Sequence, residues 1–104
     1  VKGMAHITGG GITENLPRVF PAGCAAVVSP SAWRVPPIFS FIQERGGIPV
    51  AEMFRAFNMG VGLIVVCAAE DQRAVVEALR EAGERETSVI GEIVSGAGDV
   101  RYAS

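Results

Sequence analysis

Apolar residues fall along the chain in short blocks whose spacing alternates between the period of a strand and that of a helix, and glycine or proline marks each change. Lys2 to Thr8 has strand-like content around Met4, His6 and Ile7. It runs into Gly9-Gly10-Gly11, a tight loop that no regular element would choose. Thr13 or Asn15 is then placed to cap a short helix that carries Pro17 in its first turns and ends before Pro21. Cys24 to Ser29 reads as a short apolar strand closed by Pro30, followed by a linker from Trp33 to Pro37. The stripe Ile38, Phe41 and Ile42 predicts a helix ending at Gly46-Gly47. Val50, Met53, Phe54 and Phe57, at i, i+3, i+4 and i+7, predict a second helix with Pro49 in its first turn.

Leu63 to Cys67 is continuous and rich in β-branched residues, the pattern of a central strand covered on both faces. Glu70 to Ala82 carries the clearest helical signal: acidic residues open it, Val75, Val76, Leu79 and Ala82 share a face, and Gly83 closes it. Ser88 to Ser95 predicts a strand, Gly96-Ala97-Gly98-Asp99 a hairpin turn, and Val100 to Ala103 a returning edge strand. Interleaved strands and helices without an internal repeat predict one α/β layered domain, a mixed sheet flanked by helices.

Composition narrows the classes. Of the 104 residues, 49% are hydrophobic, so the chain is expected to fold rather than stay disordered. A domain of this length is marginally stable alone, and a covering partner surface is expected. The formal charge is −2 with no basic block, which argues against a nucleic-acid partner. The longest nearly uncharged run, Met59 to Ala69, is too short for a membrane helix and is broken by Gly60 and Gly62, while Val1 opens no signal peptide. A cytoplasmic chain that does not engage a membrane is expected. Cys24 and Cys67 lie in apolar stretches without a ligand-spaced partner and read as buried thiols.

Candidate chemistry concentrates in His6 to Pro17. Three glycines between a strand and a helix leave backbone N–H groups uncovered, so Gly9, Gly10 and Gly11 read either as a phosphate-cradling loop or as a tight turn using positive φ. Neither common nucleotide fingerprint fits: Glu14 stands where G-x-G-x-x-G needs glycine, and no Gly-Lys-Ser/Thr follows. His6 is the only histidine and shares a strand face with Thr8, which makes it a candidate proton shuttle, or else a packed strand residue. Glu14 and Asn15 are weaker candidates, with helix capping as the competing role. In Phe57 to Gly62, Asn58 with Gly60 and Gly62 suggests either a close approach by a ligand or a turn and bulge. Trp33 reads as an anchor for its linker. The carboxylates at Glu70-Asp71 and Glu81 to Glu86 lack the grouping of a metal site.

Lys2-Gly3-Met4-Ala5-His6-Ile7-Thr8-Gly9-Gly10-Gly11, with Glu14-Asn15-Leu16-Pro17-Arg18, closely resembles a signature stretch of the aminoimidazole ribonucleotide synthetase family. Trp33 with Val35 to Phe39, Phe57 to Gly62 and Val89 to Val94 extend the resemblance in the family's order. It implies the family's C-terminal domain over residues 1–104, truncated at its N-terminal side and lacking the ATP-binding N-terminal domain. It also implies an ATP- and Mg²⁺-dependent ring closure of formylglycinamidine ribonucleotide to aminoimidazole ribonucleotide in purine biosynthesis, by a homodimer, with ATP and Mg²⁺ held mainly by the part not present. By the same resemblance Gly9, Gly10 and Gly11 border the substrate and phosphate site, His6 and Thr8 face it, Asn15 contacts the ribonucleotide, and Asn58, Gly60 and Gly62 support the cleft wall. Selenophosphate synthetase, thiamine-monophosphate kinase and the amidotransferase-coupled purine synthetase share the domain plan. The reading from another class is a non-catalytic module that binds a nucleotide or makes subunit contacts.

Overall fold

A computed structural model describes residues 1–103. The order of elements is β1 (Gly3–His6), α1 (Gly11–Asn15) continuing into a 3₁₀ turn (Leu16–Val19), β2 (Cys24–Val28), a 3₁₀ turn (Pro30–Ala32), α2 (Pro37–Gly46) and α3 (Val50–Ala56). There follow β3 (Leu63–Val66), a 3₁₀ turn (Ala69–Asp71), α4 (Gln72–Glu81), β4 (Gly91–Ser95) and β5 (Val100–Tyr102). The α/β class and the mixed sheet agree with the pattern, and α2 and α4 end where glycine allows them. Gly47 (φ 58°) and Gly83 (φ 108°) are left-handed. Ile48 and Glu84 donate back to Gln43 and Leu79, so a carbonyl in the last turn of each helix is satisfied.

The strands form two sheets, not one. β1 and β3 make an antiparallel ribbon, Gly3 opposite Val66 and His6 opposite Leu63. The other sheet has the order β4-β2-β5, with β2 antiparallel to β4 and parallel to β5. This corrects two expectations. β3 is not a central strand covered on both faces: Ile64 and its partner Ala5 are buried, while Leu63 is 56% and Met4 61% exposed on the outer face. β4 and β5 do not form a hairpin, because β2 lies between them. The 96–99 loop arches over the end of β2, with Gly96 and Gly98 donating to the carbonyls of Gly23 and Cys24.

The core lies between the ribbon, α1, α3 and the inner side of the mixed sheet, built on Ile7, Ile12, Leu16, Val28, Met53, Phe54 and Ile64. α1 starts earlier than predicted, with Gly10 as its N-cap and neither Thr13 nor Asn15 capping it. Cys24 and Cys67 are free and half-buried. No helix among the described residues is long and apolar enough to cross a membrane.

Candidate functional site

The glycine loop owes its shape to two causes. Gly10 (φ 97°) and Gly11 (φ 62°) occupy backbone regions that penalise a Cβ. A methyl group on Gly11 would also overlap the carbonyl oxygens of Phe54 and Phe57, so the glycine lets α1 close onto the end of α3. Gly9 is different: its φ is ordinary, and a Cβ there would meet nothing within 4 Å. Neither backbone nor packing within the chain requires glycine at that position.

Asn15 fixes the loop from beneath. It is 4% exposed, and its amide nitrogen reaches the carbonyls of Thr8 (3.2 Å), Gly9 (3.2 Å) and Gly11 (2.9 Å), while its Oδ1 accepts the Thr8 hydroxyl at 3.1 Å. A buried amide so committed sets the loop's conformation rather than facing solvent.

On the opposite side, the turn after α3 presents Asn58. Its Oδ1 accepts the Gly60 N–H at 2.8 Å, its backbone carbonyl accepts that of Val61 at 3.0 Å, and its amide nitrogen donates to nothing among the described residues. Between loop and turn lies an open cleft of about 270 Å³ lined by Ile7, Thr8, Gly9, Phe39, Ala56, Phe57 and Asn58. The fold thus joins the two glycine-containing motifs of the sequence on one surface. Apolar walls with a few convergent polar groups are the usual make-up of a small-molecule site.

Of the residues singled out in the sequence, Thr8, Gly9 and Asn58 line the cleft; Gly10, Gly11 and Asn15 shape it from behind; Gly60 and Gly62 lie in or just after the turn that carries Asn58. His6 is exposed opposite Leu63, outside the lining. Phe39 was not singled out as a site residue, although it closes the Val35-Pro36-Pro37-Ile38-Phe39 string; it reaches the cleft from the first turn of α2 and packs on Phe57 with ring centroids 5.7 Å apart. Behind the cleft, Thr13 donates to the Phe54 carbonyl (3.2 Å) and meets the Tyr102 hydroxyl at 2.8 Å. Burial raises the pKa of Tyr102, and the Thr13 hydrogen bond partly opposes that. Among the described residues no three His, Cys, Asp or Glu side chains group to hold a metal, and no Lys or Arg lines the cleft. These residues do not fit a divalent cation or a triphosphate by themselves.

Residues 1–103 match the C-terminal domain of the AIR synthase related proteins, and the chain belongs to that family. Its curated relatives carry a more particular name. It is 48% identical over 101 residues to the phosphoribosylformylglycinamidine cyclo-ligase of Methylobacillus flagellatus, covering 97% of this chain and 29% of that protein. It is 51% identical over 100 residues to the enzyme of that name from Alkaliphilus metalliredigens (96% and 28%). It is 46% identical over 98 residues to the chloroplastic cyclo-ligase of Arabidopsis thaliana (94% and 25%). The chain spans less than a third of the length of these relatives.

Proposed function

We propose that the chain forms one wall of the substrate cleft of a phosphoribosylformylglycinamidine cyclo-ligase, the enzyme that closes the imidazole ring of aminoimidazole ribonucleotide. The observation that carries this is the convergence of Thr8 and Gly9 with Asn58 on one cleft, in a chain about half identical to enzymes of that name. The unused amide of Asn58 supplies a donor for a substrate oxygen. Gly9 leaves room for the substrate to lie against the backbone, and Phe39 and Phe57 exclude water beside it. Asn15 holds the Thr8–Gly11 backbone in place during these contacts.

ATP as phosphoryl donor, Mg²⁺, a cytoplasmic homodimer and formylglycinamidine ribonucleotide as substrate belong to this proposal for the whole enzyme. When bound, ATP and Mg²⁺ supply activation of the formyl oxygen. No step at the phosphates falls to these residues, and the isolated chain is expected to be inactive. The non-catalytic alternative draws on the make-up of the cleft, where no Lys or Arg lines the wall and, among the described residues, no three His, Cys, Asp or Glu side chains group to hold a metal.

The test is a chimera in which residues 1–103 replace the matching segment of the Methylobacillus flagellatus enzyme. Cyclo-ligase turnover with ATP and formylglycinamidine ribonucleotide is expected from the chimera and not from the chain alone. A folded, dimeric chimera without turnover would favour the non-catalytic module.

A further inference from the structure

Two segments distant in sequence meet behind the Asn58 turn. Trp33, in the linker before α2, donates its indole N–H to the Met59 carbonyl at 3.0 Å and stands edge-on to Phe54, centroids 6.2 Å apart at 89°. Met59 is the one non-glycine among the described residues with positive φ, 54°, and it is 5% exposed. A residue with a Cβ resists that conformation, which persists only where its surroundings over-determine it. Pro36, from the same linker, lies so close to Gly60 that a methyl group there would overlap its ring. The linker therefore grips the two residues directly after Asn58, yet contributes nothing to the cleft lining.

The geometry points to Trp33 as a positioning residue: through the Met59 carbonyl it locks the 58–61 turn in its left-handed conformation and sets where Asn58 presents its amide to the cleft. This rests on the cleft reading above for its consequence, but not for its mechanism. The indole N–H is satisfied in a half-buried bond beside Phe54, where the ring and the Met59 backbone limit the access of competing water. Without it, Met59 has less to hold its backbone and the turn relaxes, while the Phe54 packing needs only the ring.

Amide hydrogen exchange on the full chain tests it. Trp33→Phe keeps a ring against Phe54 and removes the donor; a benzothienylalanine at the same position, with sulfur replacing the N–H, keeps the shape too and decides the matter if the Phe variant fails to fold. Gly60 and Val61, whose amides are bonded inside the turn, are expected to exchange about tenfold faster, the worth of one hydrogen bond, while Ala26 in the mixed sheet and Ser29 just past its β2 strand keep their rates. Unchanged exchange at Gly60 and Val61 overturns the proposal, and so does acceleration shared equally with Ala26 and Ser29, which would mean a loss of global stability alone. In the chimera, the isostere and Asn58→Ala are expected to raise KM without adding to one another. Faster turn exchange combined with an indifferent Asn58→Ala would leave the Trp33 brace standing and remove the cleft reading instead.

Discussion

Asn15 is the side chain on which the shape of the glycine loop depends. Replacing it with Leu strands three loop carbonyls and the Thr8 hydroxyl and is expected to cost about 2–3 kcal/mol, read as a lower urea midpoint with an unchanged m-value. Asn15→Asp is expected to do no better, because it turns a carboxylate oxygen toward those carbonyls. The glycines separate by the same logic. Gly11→Ala is expected to unfold or severely weaken the chain, since the methyl meets the Phe54 and Phe57 carbonyls at positive φ, whereas Gly9→Ala changes the unfolding free energy by less than about 0.5 kcal/mol. The tripled glycine was legible as a loop, but the different duties of its members were not. Those duties depend on which distant backbone approaches, here the end of α3. Capping was the competing role expected of Asn15; its amide instead reaches back to residues 8–11, a side-chain-to-backbone pattern that leaves no mark on hydrophobic periodicity.

The last strand shows how elements lock together. Tyr102 of β5 packs on Phe54 with centroids 4.4 Å apart and meets the Thr13 hydroxyl, tying the edge of the mixed sheet to α1 and α3. Either hydroxyl can donate in the Thr13–Tyr102 bond. Burial holds the Tyr102 pKa above its ordinary value near 10. The folded state therefore keeps this proton longer than the unfolded one. The contribution is present in full below the unfolded pKa and is lost as pH rises through the folded one. Urea midpoints are expected to fall as pH rises above about 10, and Tyr102→Phe is expected to lose about 1 kcal/mol at neutral pH while flattening that alkaline fall. An alkaline limb unchanged in the variant would contradict this. The turn residues at 96–99 were legible and do reverse the chain, but turn chemistry does not say whether another strand lies between the two it joins. By contrast the ends of α2 and α4 were legible because a left-handed glycine is a local requirement.

As a whole the chain exposes 6721 Å², about a fifth more than the roughly 5,600 Å² expected of a folded monomer of 10.9 kDa. Part of the excess is the outer face of the β1–β3 ribbon, where Met4 and Leu63 stand open. The apolar run of β3 was legible in the sequence as a strand to be covered on both sides; the described residues cover one. A two-stranded ribbon with an open apolar face predicts association. Sedimentation is expected to show a mass above 10.9 kDa that rises with concentration and returns to monomer in Met4→Lys/Leu63→Lys; a sharp monomer at every concentration would count against it. The cleft itself is the account's main claim, and steady-state kinetics of the chimera tests it most directly. Gly9→Val and Asn58→Ala, from opposite walls, are each expected to raise KM for formylglycinamidine ribonucleotide about tenfold or more, the worth of one polar contact or of lost backbone approach; Gly9→Val leaves the melting temperature nearly unchanged, while Asn58→Ala, which also removes the acceptor of the Gly60 N–H, lowers it slightly. His6→Asn, outside the lining, is expected to change KM less than either. If both wall variants left KM and kcat as they are in the unsubstituted chimera, the cleft between Gly9 and Asn58 would not be where the substrate binds.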